Sequence, residues 1–259
     1  MAVALTIAGS DPSGGAGIQA DLKTFHQFSV YGEAVITLVT VQNTTRVSRI
    51  EVMPPDLVTQ QIEAVLEDIP PTAAKTGALG SAAVVRAVAA MARSFDFPLV
   101  VDPVMISKHG LPLLPEDAAL VMRQELLPCA ALLMPNIPEA EVLTGGVIQT
   151  LADARAAAEA ILRMGPRAVL IKGGHLDGEA IDLFWDGQRL LRFPGERIST
   201  RHTHGTGCTY SAAVTAGLAA GLELVDAIGR AKHFIQEAIR TNPGLGHGCG
   251  PVNHHAEVL

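Results

Sequence analysis

Short apolar runs of strand length recur along the chain, and stretches with helical periodicity separate them. The strand pattern falls at residues 3–8, 34–41, 73–75, 99–102, 132–134 and 168–172. Helical patterns lie at 17–28, 56–68, 81–94, 115–127 and 151–164, and two more follow at 205–220 and 225–241. Strand and helix in alternation predict βαβ units and a mainly parallel sheet. Right-handed crossovers then place helices on both faces, giving a three-layer αβα architecture. Residues 182–185 and 189–193 flank Asp186-Gly187, a hairpin turn that predicts an antiparallel edge. Repeats, low-complexity tracts and Gly/Ser linkers do not occur, so a single domain spanning 1–259 is expected.

Composition sharpens this picture. Hydrophobic residues make up 48% of the chain but aromatics only 4%, so Ala, Val, Leu and Ile must build the core. That suits a parallel sheet covered by Ala-rich helices. The net charge is −7 and no basic run appears, which argues against a nucleic-acid partner. The apolar amino terminus lacks a positive n-region and soon meets Asp11 and Pro12, so no signal peptide is expected. The longest apolar stretches, 82–92 and 97–106, are broken by Arg86 and Asp102 and are too short to span a membrane. Three cysteines, Cys129, Cys208 and Cys249, stand far apart without a CxxC pair, which predicts no disulfide framework and a reducing, cytoplasmic setting. The nine histidines form no HExxH or paired Cys/His spacing, so a structural metal is not expected.

In such a sheet, ligands gather beyond the carboxyl ends of the strands. Residues 9–17, 40–45, 102–110, 135–139 and 172–175 all fall there, and 202–208 opens a helix. In Thr203-His204-Gly205-Thr206-Gly207-Cys208, two glycines let successive N–H groups converge at the positive end of a helix, where an anion binds. The same segment also reads as a glycine turn before a buried helix, with Cys208 as a small core residue. A Walker loop is excluded because the chain has no Gly-Lys pair. Gly15-Ala16-Gly17-Ile18-Gln19-Ala20 loosely matches a dinucleotide fingerprint, but the first strand ends too early and the next ends at Gln42 rather than at an acidic residue. Asn136-Ile137-Pro138-Glu139 reads either as a capping box or as a metal–phosphate site. Lys172-Gly173-Gly174 ends a strand where glycines allow a phosphate to approach, whereas Asp102-Pro103 also suits a simple turn.

Taken together, these segments resemble the hydroxymethylpyrimidine/phosphomethylpyrimidine kinases of the ribokinase-like superfamily. The resemblance rests on the run from Gly9-Ser10-Asp11-Pro12-Ser13-Gly14-Gly15 to Lys23-Thr24, on Gln42-Asn43-Thr44, on Asp102-Pro103-Val104-Met105 and on Pro135-Asn136-Ile137-Pro138-Glu139. Lys172-Gly173-Gly174-His175, His204-Gly205-Thr206-Gly207-Cys208 and the tail Gly248-Cys249-Gly250-Pro251-Val252-Asn253-His254 complete it. It implies a ribokinase-like fold, ATP with magnesium, a homodimer, and two successive phosphorylations at one pyrimidine site. Carried over by motif, Gly205, Thr206, Gly207 and Cys208 form an anion hole, and Lys172, Asn136 and Glu139 serve the nucleotide phosphates. Asp102 is the candidate for magnesium held through those phosphates, while Gly9, Asp21, Gln42 and Val104 line the pyrimidine pocket. Two departures stand out: Ala78 replaces an expected methionine, and His109-Gly110-Leu111 replaces Ser-Gly-Asp in an expected flap over 107–115. A cysteine at a helix start can have a lowered pKa, so Cys208 reads either as a thiolate base or as a group that orients the alcohol. Gln42 reads as the recogniser of an aminopyrimidine edge, in the way glutamine reads adenine, or as a polar strand end bonded to a neighbouring loop. A pyridoxal kinase of the same fold is the nearest alternative.

Overall fold

The computed structural model describes residues 1–106, 110, 112–174 and 180–258. The expected flap positions Ser107, His109 and Leu111, and His175 of the Lys172 motif, lie outside the described residues. Among the described residues nine strands form one sheet: β1 (Val3–Ser10), β2 (Tyr31–Gln42), β3 (Val47–Val52), β4 (Ala73–Thr76), β5 (Leu99–Val101), β6 (Leu132–Leu133), β7 (Val169–Ile171), β8 (Asp182–Trp185) and β9 (Leu190–Phe193). Their order is β3-β2-β1-β4-β5-β6-β7-β8-β9. From β2 across to β7 all neighbours are parallel. The predicted hairpin, β8 with β9, closes one edge antiparallel, and β3 closes the other. β3 has no counterpart in the sequence reading. Its residues stay partly or fully exposed, with Arg49 and Glu51 paired at 2.8 Å in solvent, so it shows no apolar run.

The helices are α1 (Gly17–Gln27), α2 (Pro55–Asp68), α3 (Ala82–Ala92), α4 (Glu116–Val121), α5 (Ile137–Thr144), α6 (Leu151–Leu162), α7 (Thr206–Ala219) and α8 (Leu224–Arg240). The helix expected over 115–127 is α-helical only to Val121. It continues as a π turn (Met122–Leu126) and a 3-10 turn (Leu127–Cys129) that contains Pro128, which cannot donate to a helical ladder.

Alternate strand residues feed separate cores, as the pleat requires. Leu99 and Val101 pack with Val58 and Ile62 of α2 and Val84 and Val88 of α3. Val100 points the other way, toward Val214 of α7 and Phe234 of α8. Ala4 and Ala73 meet Phe25 of α1 and Ala212 and Ala216 of α7. The three layers are therefore those the residue pattern predicts.

A cluster of buried polar side chains interrupts the apolar packing on the α1 side. Lys75 of β4 is fully buried and sits 2.8 Å from Asp21 Oδ1, while Thr6 Oγ1 donates to Asp21 Oδ2 at 2.6 Å. Burial alone would pull the Lys75 ammonium down, but Asp21, Cys208 and Asp102 together outweigh burial and raise its pKa. Removing one partner strands the other charge out of water, so Lys75→Met should cost about 3–5 kcal/mol in urea unfolding. Lys75→Met with Asp21→Leu should recover much of that loss. A fall of under about 1 kcal/mol for the single variant, the range of an exposed pair, would show that this ion pair is dispensable.

Candidate active site

The carboxyl ends of the central strands and the start of α7 enclose a cleft of about 760 Å³. On the β2–β1–β4 side it is lined by Gly9, Leu38, Gln42, Ala78 and Val104. Toward β8 and α8 it is lined by Ala180, Ile198, Tyr210, Ile235 and Ile239. The two lobes meet at Asp102, Glu139, Lys172 and residues 205–208.

The first N–H groups of a helix lack intrahelical partners, and Gly207 and Cys208 of α7 bring theirs to the junction of the lobes, while the Thr206 N–H donates to Thr203 O at 3.3 Å. Gly205 makes this possible. It has a φ of 78°, and a Cβ there would collide with the Gly15 carbonyl oxygen. Gly207, by contrast, lies within regular helix and has no positive φ, so its role is space. A Cβ at 207 would stand 3.4 Å from Asp102 Oδ2 and 3.6 Å from Lys172 Nζ.

Lys172 Nζ lies 2.7 Å from Asp102 Oδ1, and Ser211 Oγ donates to Asp102 Oδ2 at 3.3 Å. Burial opposes the Lys172 charge, yet the Asp102 and Glu139 carboxylates hold its pKa above the ordinary value. The Lys172 backbone N–H donates to Pro135 O at 2.8 Å, which seats Asn136 beside it. Both readings of Asn136 and Glu139 meet here. Asn136 Oδ1 accepts from Glu139 N at 2.9 Å and Glu139 Oε2 from Asn136 N at 2.8 Å, a complete capping box that also faces the cleft. Burial lifts the Glu139 carboxyl to about 7, with Lys172 opposing and Asp102 reinforcing.

Every predicted site residue lines the cleft except Asp21. Asp21 is fully buried beneath it, committed to Lys75 and Thr6, and so does not line a substrate pocket. The electrostatics of the ligand-free site do not favour the thiolate reading of Cys208, a half-buried residue at the cleft. Burial pushes its thiol up to about 12; Lys75 opposes this, while Asp21 and Asp102 reinforce it. Those carboxylates and the loss of water outweigh the helix start.

The family model for phosphomethylpyrimidine kinase matches residues 11–253. The chain belongs to the phosphomethylpyrimidine kinase family. It is 47% identical over 254 residues to the hydroxymethylpyrimidine/phosphomethylpyrimidine kinase of Synechococcus elongatus, covering 97% of each chain. The crystal structure of the phosphomethylpyrimidine kinase of Clostridium difficile superimposes with a TM-score of 0.83 at 44% identity, covering 92% of this chain and 100% of that one. The pyridoxal kinase of Staphylococcus aureus, in complex with AMP-PCP and pyridoxal, gives 0.91 at 36%, covering 99% and 94%. The ribokinase-like fold and the family implied by the sequence motifs are thereby borne out.

Within this phosphomethylpyrimidine kinase fold, four side chains at the cleft had no assigned role in the sequence reading. Asp182 accepts from Gly173 N at 2.9 Å and pairs with Lys232 at 2.7 Å, pinning the end of β7 to α8. An acidic residue opening an apolar strand, and a lysine on the apolar face of a helix, were the available signals. Asp11 and His204 lie 2.7 Å apart, and Gln42 Nε2 lies 3.1 Å from the same His204 Nε2. Gln42 is thus both bonded to a loop and open to the cleft, and nothing local in the sequence joins residues 11, 42 and 204.

The raised Cys208 pKa has a direct consequence. Site-resolved alkylation by iodoacetamide at pH 8 should be slower at Cys208 than at an ordinary free thiol by about a hundred-fold or more, because the thiolate is the reactive form. The rate should still be climbing at pH 10. A plateau near neutral pH would reinstate the thiolate.

Proposed function

We propose that this protein is an ATP-dependent kinase that phosphorylates 4-amino-5-hydroxymethyl-2-methylpyrimidine and then its monophosphate, in thiamine biosynthesis. The observation that carries the reading is the open start of α7, set between two lobes of one cleft and beside Lys172. Phosphoryl transfer asks a protein mainly for positioning and charge neutralisation. In this reading Gly205, Thr206, Gly207 and Cys208 cradle the transferred phosphoryl group. Lys172, with Asn136 and Glu139, serves the nucleotide phosphates, and the lobe toward α8 holds the nucleoside. Gly9, Gln42 and Val104 take the pyrimidine, whose hydroxymethyl group sits by Cys208 as a protonated, orienting thiol.

Magnesium bound mainly through phosphates needs only one or two carboxylates. Asp102 and Glu139 at the lobe junction meet that requirement, and among the described residues no cluster of three or more His, Cys, Asp or Glu competes for a metal. The residues present therefore fit a magnesium ion that would offset charge on the phosphates. No helix among the described residues is long and apolar enough to cross a membrane. A cytoplasmic setting agrees with three free cysteines, and a homodimer of single-domain chains is the assembly the family resemblance implies.

The likeness to pyridoxal kinase structures, together with the small Ala78 in the pocket wall, supports a second reading as a pyridoxal kinase. A coupled ADP-release assay separates the two. The hydroxymethylpyrimidine should be preferred over pyridoxal by about ten-fold, because pyridoxal lacks the amino group and would forgo its hydrogen bond to the Gln42 carboxamide, about 0.5–1.5 kcal/mol. Gln42→Leu should narrow the gap by losing the pyrimidine. Equal losses on both substrates would favour the pyridoxal reading, and tight ATP binding without turnover would leave a non-catalytic nucleotide binder.

The anion hole has its own test in Gly207→Val. The added side chain points at the Lys172–Asp102 pair rather than into backbone, so the variant should fold. Its kcat should drop by about 10²–10³, as for loss of one oxyanion donor. Normal turnover in a folded Gly207→Val protein would place phosphate elsewhere.

A further inference from the structure

Gln42 enters the cleft tied to a buried histidine, and that tie decides which way round its carboxamide faces. His204 Nε2 lies 2.7 Å from Asp11 Oδ2 and 3.1 Å from Gln42 Nε2. Asp11 and His204 are almost wholly buried, 3% and 4% exposed. Asp11 already accepts from the Ser13 N–H and hydroxyl and from the Ala16 N–H. Burial works against its charge, but the hydrogen bonds from His204 and Ser13 prevail and keep its carboxyl below the ordinary range. An ionised carboxylate has no proton to give, so the 2.7 Å contact requires the hydrogen on His204 Nε2. A ring nitrogen that carries a hydrogen cannot accept one from an amide –NH₂. Amide oxygen and nitrogen exchange places by a half turn, and the surrounding network decides between them. Gln42 Oε1 must therefore face His204, sharing the one Nε2 hydrogen with Asp11 as the longer arm of a three-centre bond, and its –NH₂ must face the cleft.

We propose that Asp11 and His204 are positioning residues that lock the Gln42 carboxamide with its N–H donors toward the substrate, selecting a ring nitrogen that accepts a hydrogen bond. This rests on the reading of Gln42 as the contact for the aminopyrimidine. Oε1 keeps a second lone pair for the neighbouring amino group, so the locked amide matches both parts of that edge. An untethered carboxamide would present either orientation, and each half turn would swap donor for acceptor.

The test has two arms. In the ligand-free wild-type protein, ¹⁵N spectra of labelled histidine should show His204 protonated at Nε2. An unprotonated Nε2 overturns the proposal, whatever alcohol the protein phosphorylates. The second arm compares His204→Phe, which keeps a ring but no donor, with His204→Gln, which keeps an N–H in reach of Asp11. His204→Phe should raise KM for the hydroxymethylpyrimidine about ten-fold or more, the scale of one unmade hydrogen bond, and leave KM for ATP unchanged. His204→Gln should recover most of the loss. In a Gln42→Leu background His204→Phe should add nothing, since it acts through Gln42. Additive losses, or an equal rise in KM for ATP, overturn the positioning role. If the wild type does not turn over the pyrimidine at all, the functional reading fails, while the spectroscopic arm still decides the tether.

Discussion

The whole site depends on where helix α7 begins. Its first turn must reach the carboxyl edge of the sheet, and only a close backbone approach puts it there. Gly205 lies against the Gly15 carbonyl in a conformation that leaves no room for a Cβ. Behind it, small residues such as Ala212 and Ala216 let α7 lie flat on the strands beside Ala4 and Ala73. The backbone of His204 is held from the other side, its N–H donating to Gly250 O at 3.0 Å and its carbonyl accepting from Val252 N at 3.3 Å. The tail of the chain therefore fixes the residue before the helix, and the amino-terminal loop fixes the helix start. The amino-terminal loop and the tail thus meet at the start of α7.

Three lysine–aspartate pairs surround this helix, and their exposure separates their uses. Lys75–Asp21 is sealed, with both side chains at 0% exposure, and Thr6 satisfies a further carboxylate position. Lys232–Asp182 sits at 11% and 4%, and Lys232 has a second partner in Ala180 O at 2.8 Å. Lys172–Asp102 is the most open, at 14% and 2%, and faces the bare Cα of Gly207. A buried charge cannot leave its partner without a cost of several kcal/mol. An ammonium at the cleft can trade a carboxylate for a phosphate, because the charge stays paired throughout. Lys172 and Lys232 both line the cleft, and Lys172 is the one beside Gly207, where the proposed function puts the phosphate.

What the sequence could reveal follows from how local each signal is. The strand runs, the capping box at Asn136 and the glycine turn before α7 are written within a few neighbouring residues, and they hold in the structure. Asp21 was misplaced although its own helix carried the clue. Ile18, Asp21 and Phe25 occupy one helical stripe, and all are buried, so Asp21 faces the sheet and not the cleft. The Cys208 thiol could not be read at all, since its environment is set by Lys75, Asp21 and Asp102 from three separate segments. β3 escaped for another reason. An edge strand with one covered side needs few apolar residues, and charges on it discourage pairing with other chains.

That missed strand would serve the recognition proposed for Gln42. β1 ends at Ser10, whose register partner on β2 is Val39. Residues 40–42 of β2 therefore run on past β1 and rise beside the cleft as part of its wall, about 10 Å of chain at the usual rise per residue. Over this stretch β3 supplies the pairing, with Thr40 opposite Ile50, Val41 opposite Arg49 and Gln42 opposite Val47. Without it, the end of β2 would be a free strand tip, and Gln42 would move with it. Thr40 and Gln42 both line the cleft, as the two-residue period of a strand requires once Leu38 does. The backbone of Gln42 is thus held by β3 and its side chain by His204. Precise reading of a small flat ligand needs both restraints, since a fixed backbone leaves the amide free to turn and a fixed amide on a loose strand would drift.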